Sequence, residues 1–428
     1  MATLRKVYLD NAATTPLSPA ARAVYQNDEL MSTYGNPSSL HFEGVKAARL
    51  LDESRIKIAK CLNCSPNELF FTSGATESNN WFLNSVQGLS KYFPSKNTKR
   101  HEKVIFTSNV EHHSILEPFK KNMDSSYRFI PVNCNSFSSS KSDYDFSKVG
   151  IVLPDEKMFS KPLHGCKIYP IVSLMMVNNE IGTINPIKEI ASYVHTAGGI
   201  IHTDATQAVG HIPVDIKALD VDALTFSAHK FGGPKGVGCL YIKKSKQYLF
   251  SPFIYGGGQE RQFRSGTENV VGITAMAAAL EEAIKQMRMV NCLVAPNVLY
   301  QHYREDCIKA LSECASITIN GADYIQDGKY HPSMWQYPGI LNISIDGVEA
   351  ESLVSLTSMC GVYISTGSAC NSHAVEPSYV LKAIGLSDEK ALCSVRISFG
   401  PQNLPSDINY AIKSLTTAVK ILKKENVP

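Results

Sequence analysis

The sequence predicts an α/β protein in which a large domain is followed by a smaller C-terminal α/β domain. Three observations predict it. Strand-like apolar runs alternate with helix-like stretches through roughly the first 270 residues. Several of these runs end in polar residues, where open α/β sheets place their ligand contacts. Helical stretches at 270–288 and 294–314 then lead into strands near 340–345, 362–366 and 394–398 and a closing helix near 405–423. A chain of 428 residues has ample core for two or three domains.

Composition narrows the function classes. Hydrophobic residues make up 44% and charged residues 19%, as in ordinary globular proteins. A net charge of +3 gives no case for nucleic acid or acidic membranes as partners. No apolar run approaches the length of a membrane span. The first six residues pass at once into the first motif, so no signal or transit peptide and a cytoplasmic location are expected. Eleven cysteines at irregular spacings suggest free thiols in a reducing compartment. Cys61-Leu62-Asn63-Cys64 has half of a zinc spacing, but no second pair accompanies it, so no metal is expected.

In chain order, residues 17–31 and 39–61 read as helices, the second with Phe42, Val45, Leu50, Leu51 and Ile56 at near-helical spacing. Tyr34 to Ser39, which includes Asn36, is a turn by composition. Glu68 to Thr72 is a strand that runs into Ser73-Gly74-Ala75-Thr76-Glu77-Ser78. A small-residue loop that opens a helix points backbone N–H groups at an anion. Val104 to Thr107 is the next strand, followed by Glu111-His112-His113. Residues 92–102, the Ser-rich 134–147 and about 320–337 read as surface loops. Ile168 to Val177 is a long buried strand running into Asn178-Asn179-Glu180-Ile181-Gly182.

Two further strand ends carry the strongest chemistry. Gly199-Ile200-Ile201 leads to His202-Thr203-Asp204-Ala205-Thr206-Gln207, and Ala223 to Phe226 leads to Ser227-Ala228-His229-Lys230. Burial disfavours an ammonium, and a neutral amine attacks aldehydes. An aspartate for a ring nitrogen and a lysine for an aldehyde are the two protein parts that pyridoxal 5′-phosphate (PLP) chemistry requires. Downstream come Gly256 to Asn269, which includes Thr267, and the short polar loop Ser365-Thr366-Gly367-Ser368-Ala369-Cys370-Asn371. A cysteine among small polar residues has the setting of a reactive thiol. Arg396 lies mid-strand in Ser394-Val395-Arg396-Ile397-Ser398, and a buried arginine calls for an anion.

From Tyr8-Leu9-Asp10-Asn11-Ala12-Ala13-Thr14-Thr15-Pro16 to Arg396-Ile397-Ser398-Phe399-Gly400, these motifs resemble the PLP-dependent cysteine desulfurases and selenocysteine lyases of the class V aminotransferase group. The resemblance implies fold-type I: a large mixed-sheet domain at 17–267, and a small domain from 1–16 and 268–428 that carries the cysteine loop. It implies that Lys230 holds PLP, that Asp204 pairs with its ring nitrogen and that His112 stacks on the ring and moves protons. Ala75, Thr76, Ser227 and His229 would hold the phosphate, with Thr267 reaching across a homodimer boundary to the partner's cofactor. Asn179 and Gln207 would lie by the cofactor's 3-oxygen. Arg396, Asn179 and Asn36 would meet the substrate, and Cys370 would take its sulfur as a persulfide for an acceptor protein. Residue 113 is a histidine rather than the lysine or aspartate of the two subgroups. L-Cysteine and L-selenocysteine both remain open as substrates at this point.

Overall fold

The computed structural model describes residues 5–89, 101–124, 126–134, 149–163, 166–288, 296–326, 329–366 and 376–425. The N-terminal segment opens with a short strand, β1 (Val7–Tyr8). Seven strands then build one sheet: β2 (Leu69–Thr72), β3 (His101–Ser108), β4 (Tyr127–Ile130), β5 (Lys167–Met175), β6 (Ile200–Asp204), β7 (Ala223–Ser227) and β8 (Gly238–Ile242). Their order is β2-β8-β7-β6-β5-β3-β4. β8 alone runs against both of its neighbours, and the other pairings are parallel, so the sheet is mixed.

Both faces of this sheet are covered, which is why its strands read as continuous apolar runs. Phe70, Ile105, Ile171, Ile200 and Leu240 face one core with Trp81 and Phe82. Their neighbours Phe71, Val104, Phe106, Val172 and Ile201 face the other core, with Leu51, Ile58 and Met276. One parity of each strand thus packs under one helical layer and the other parity under the second.

A three-stranded antiparallel sheet of β9 (Ile317–Ile319), β12 (Ile340–Ile345) and β14 (Ser394–Ser398) forms the smaller core. β1 pairs in parallel with β13 (Val362–Tyr363), so Val7 and Leu9 pack with Tyr303, Leu341, Ile397 and Leu415 of this core. The cores do not divide at 267/268. Helix Val270–Met287 sends Ile273, Met276 and Leu280 into the large core, and Val380, Leu381 and Ile384 join it from the C-terminal region.

Four expectations are corrected. The stretch 17–31 is two helices, Pro19–Tyr25 and Asp28–Met31, because the Asn27 side chain caps the second. The next helix, Phe42–Leu62, buries Ala47, Leu51, Ile58 and Leu62, whereas Phe42, Val45 and Ile56 are 80%, 56% and 55% exposed. Region 320–337 is not a surface loop. It holds the hairpin of β10 (Tyr324–Gln326) and β11 (Lys329–His331), and its Asn320, Asp323, Gln336 and Tyr337 are buried. Asp323 is there to pair with Arg304 (2.6 Å), a charge that tolerates burial only with a partner. Residues 101–102 open β3 rather than closing a loop. Of 134–147, all but Cys134 lie outside the described residues.

Candidate active site

Strand ends converge on one edge of the large sheet. β2, β3, β5, β6 and β7 all finish there, and β8 begins there, with Thr72 and Ser227 in register with Gly238. The edge opens into a cavity of about 750 Å³. Ala75, Thr76, His112, Asn179, Asp204, Gln207, Ser227, His229, Lys230 and Arg396 all line it.

Asp204 is 5% exposed, and both of its oxygens are engaged. Oδ2 accepts from Asn79 Nδ2 at 2.7 Å, and Oδ1 accepts from the Thr206 N–H at 3.0 Å. Asn79 Nδ2 also donates to Ser114 Oγ (2.8 Å). The Ser114 N–H donates to His112 Nδ1 (3.1 Å), leaving Nε2 to carry the proton of a neutral ring. Burial holds His112 below the usual histidine range, with Asp204 opposing it. Beneath this group lies Glu111, which accepts from Ser108 Oγ (2.6 Å) and the Met175 N–H (2.7 Å). Burial pushes its carboxyl up to about 8, with Asp204 adding to the effect.

Lys230 sits in the short 3₁₀ turn after β7, and its Nζ donates to the carbonyls of Ala12 (2.8 Å) and Ala13 (2.9 Å). The N-terminal segment is therefore a wall of the site. Gln207 Nε2 donates to the same Ala12 carbonyl (2.8 Å), and the Thr15 N–H donates to the His229 carbonyl (2.9 Å). His229 is neutral: burial and then the cations Lys230 and Lys235 lower its pKa to about 4.

At the opposite wall, Gly74 is the N-cap of helix Ala75–Gln87 and offers its first turn no side-chain acceptor. A Cβ on Gly238 would lie 2.5 Å from the Gly74 Cα, so this glycine is what lets the cup approach β8. Arg396 is 3% exposed. Its NH1 donates to the Asn179 carbonyl (3.0 Å), its NH2 pairs with Asp10 (2.8 Å), and its Nε is buried without a partner among the described residues.

This donor set fits PLP. A buried carboxylate stands on one side for a protonated ring nitrogen, an uncapped helix start on the other for a phosphate, and a lysine amine between them for an aldehyde. The buried Thr206 Oγ1 adds a polar atom that no described residue satisfies.

One expected contact is not brought into this cavity: Asn36 is exposed, and its Oδ1 accepts from the Ser38 N–H (2.9 Å) in a local turn. Thr267 is exposed, and the site it is expected to serve is the partner's. Cys370 lies outside the described residues. Asp10, Asn79, Ser114, Glu180 and Tyr379 were not singled out from the sequence. For Asp10 the available signal was its place inside the Tyr8–Pro16 motif.

The Aminotransferase class-V family matches residues 7–136 and 166–410. A cysteine desulfurase IscS of Dictyoglomus turgidum is 38% identical over 424 residues, covering 98% of this chain and 96% of that protein. The chain belongs to the cysteine desulfurase family. The family implies PLP, for which the cavity has the donors. A solved NifS-like protein superposes with a TM-score of 0.79 at 31% identity, covering 97% of this chain and all (100%) of that one. A second structure, SspA in complex with cysteine, gives a TM-score of 0.70 at 26% identity, with 93% and 99% covered.

Proposed function

We propose that the protein is a PLP-dependent cysteine desulfurase that converts L-cysteine to L-alanine and carries the sulfur on Cys370. The observation that carries this reading is the meeting of Lys230, Asp204 and Arg396 in one cavity of a cysteine desulfurase family member. PLP, when bound, supplies an aldehyde for the substrate amine and a ring that draws electrons from the α-carbon. Asp204 would hold the ring nitrogen protonated, His112 would lie against the ring, and Ala75, Thr76, Ser227 and His229 would hold the phosphate. Asn179 and Gln207 would face the 3-oxygen.

Arg396 binds the α-carboxylate, which gives its unpartnered Nε an acceptor. Lys230 Nζ takes the proton from the α-carbon. The Cys370 thiolate attacks the substrate sulfur: an S–S bond forms and the substrate's Cβ–S bond breaks. The bonding pair stays with the β-carbon, which takes a proton from solvent; the α-carbon regains the proton held on Lys230, and alanine leaves. The sulfur remains as a persulfide and passes to an acceptor protein.

A homodimer is part of this reading, with Thr267 serving the partner's site. Its support is the exposed apolar surface of Leu40 (98%), Tyr34 (82%), Tyr255 (81%) and Phe42 (80%). The relatives are named for cysteine, so selenocysteine is not favoured as the substrate. Among the described residues no helix is long and apolar enough to cross a membrane, and a cytoplasmic location is proposed.

The test is product analysis with L-cysteine and L-selenocysteine supplied side by side. Wild type is expected to form alanine from cysteine, and Cys370→Ala to form none while retaining PLP. A wild type that cleaves only selenocysteine, or a Cys370→Ala that desulfurates at the wild-type rate, overturns the reading.

A further inference from the structure

Glu180 is a buried carboxylate to which the proposed reaction gives no task. It sits in the turn after β5, where Asn178 Oδ1 accepts from the N–H groups of Glu180 (2.8 Å) and Ile181 (3.0 Å). The residue is only 3% exposed, and its Oε2 accepts from the Ser378 hydroxyl at 2.5 Å. Ser378 caps helix Tyr379–Ala383, its Oγ accepting from the Leu381 N–H (3.2 Å). In sequence it follows Cys370 by eight residues. The neighbouring residue of the same turn, Asn179, holds Arg396 through its carbonyl (3.0 Å). Glu180 thus lines the same cavity as the guanidinium and accepts from the cap of the helix that follows Cys370 in sequence.

Arg396 of β14 is the cation, and Asp10 of the N-terminal segment already occupies that cation's NH2 (2.8 Å). Ser378 and Asn342, whose Nδ2 donates to the Glu180 carbonyl (3.2 Å), are neutral. Lys230, Lys120, Lys235, Asp204, Glu77 and Glu376 line the same cavity. With Glu180 ionised, an incoming carboxylate would be the third anion around one guanidinium. With Glu180 neutral, it would be the second. Like charges acting on one site disfavour each other's ionisation.

We propose that Glu180 is a positioning residue that takes up one proton from solvent when the α-carboxylate of the amino-acid substrate docks on Arg396. The inference takes only the substrate's identity from the desulfurase reading. The Ser378 contact suits both states. Its hydroxyl donates to the ionised carboxylate, and its second lone pair accepts from the protonated one. Burial raises the Glu180 carboxyl to about 7, with Ser378 and Arg396 opposing, so both states are accessible near neutrality. Carboxylate affinity should then fall about tenfold per pH unit above that point, by linkage.

The experiment titrates the PLP-loaded protein calorimetrically with propionate, which has a carboxylate but neither amine nor thiol. Buffers of different ionisation enthalpy count the protons bound, and the series is repeated without PLP to remove the cofactor's own titration. Wild type should gain up to one proton per propionate. Glu180→Gln should gain almost none, with an affinity that no longer depends on pH. The KM of Glu180→Gln for cysteine should likewise lose its rise at alkaline pH, with kcat largely kept. Arg396→Lys should weaken propionate in either background. A wild type that binds propionate without proton uptake refutes the proposal even if the variant does not fold. So does a Glu180→Gln that keeps the wild-type uptake. If the wild type forms no alanine from cysteine yet shows the Glu180-dependent uptake, the desulfurase reading fails and this inference stands.

Discussion

The buried pair Arg55–Glu260 offers a sharp stability test. Arg55 NH2 lies 2.6 Å from Glu260 Oε1, with side chains only 8% and 2% exposed. Arg55 NH1 reaches Oε2 (3.0 Å) and the Leu69 carbonyl (2.7 Å), and the Phe71 N–H also donates to Oε2 (3.0 Å). The guanidinium lies 4.3 Å from the Phe71 ring centroid, so little solvent reaches it. Glu260→Gln keeps the shape and the Phe71 acceptor but leaves a buried cation without its counter-charge. Removing one partner of such a pair costs about 3–5 kcal/mol, against about 0–1 kcal/mol for an exposed pair. Arg55→Met should cost less, because the stranded carboxylate keeps the Phe71 N–H as a donor. The double variant should recover part of the loss, since an apolar replacement of a buried pair is often close to neutral.

The assay is urea unfolding followed by Trp81 fluorescence in a Trp335→Phe background. Trp81 is fully buried beside Phe70 (5.6 Å) and Phe263 (6.3 Å), so it reports this region. A loss of under about 1 kcal/mol in Glu260→Gln would refute the reasoning, as would single-variant costs that simply add in the double variant.

Other outcomes follow from particular residues. Glu260, Arg261 and Gln262 all have positive φ (47°, 57°, 68°), and an L-residue held there loses roughly 1–2 kcal/mol. Gln262→Gly should therefore gain about 0.5–1 kcal/mol after the glycine's extra unfolded-state entropy, and Gln262→Ala should gain nothing; urea midpoints separate the two. His195 Nε2 lies 2.9 Å from Asp222, and this bond holds its pKa above the usual histidine value. The stability it adds should be complete below the unfolded histidine pKa and lost as pH rises through the folded one, and His195→Gln should remove that pH dependence from thermal melts. Arg396→Lys should raise KM for cysteine roughly 10- to 100-fold, the loss of a charged, two-pronged contact, with a smaller change in kcat. Lys230→Ala should retain PLP non-covalently, produce no alanine and lose the borohydride-fixed pyridoxyl mass found on wild type.

What was legible in the sequence is what lies within a few residues of a strand end. Lys230, Asp204 and Asn179 could be placed because an apolar run and its polar terminus are contiguous, and the sheet edge follows from that pattern. Their partners could not be placed, because pairing across the fold leaves no local period. Asp10 and Arg396 are 386 residues apart, and Asn79 and Asp204 are 125 apart. Polarity misled at 320–337, where Asp323 is buried to neutralise Arg304 and Gln336 to donate to the Ile181 carbonyl (2.8 Å). Apolarity misled at Phe42 and Val45, whose helical spacing is real although their face is open in the single chain. Gly238 shows the limit best. From sequence it only closes a Gly-rich turn, yet a Cβ there would meet the Gly74 backbone at 2.5 Å. Backbone cannot move aside as a flexible side chain can, so a larger residue would push the helix start away from β8. The shape of the cup therefore depends on a residue with no side chain, and only the distance between β8 and the helix start reveals it.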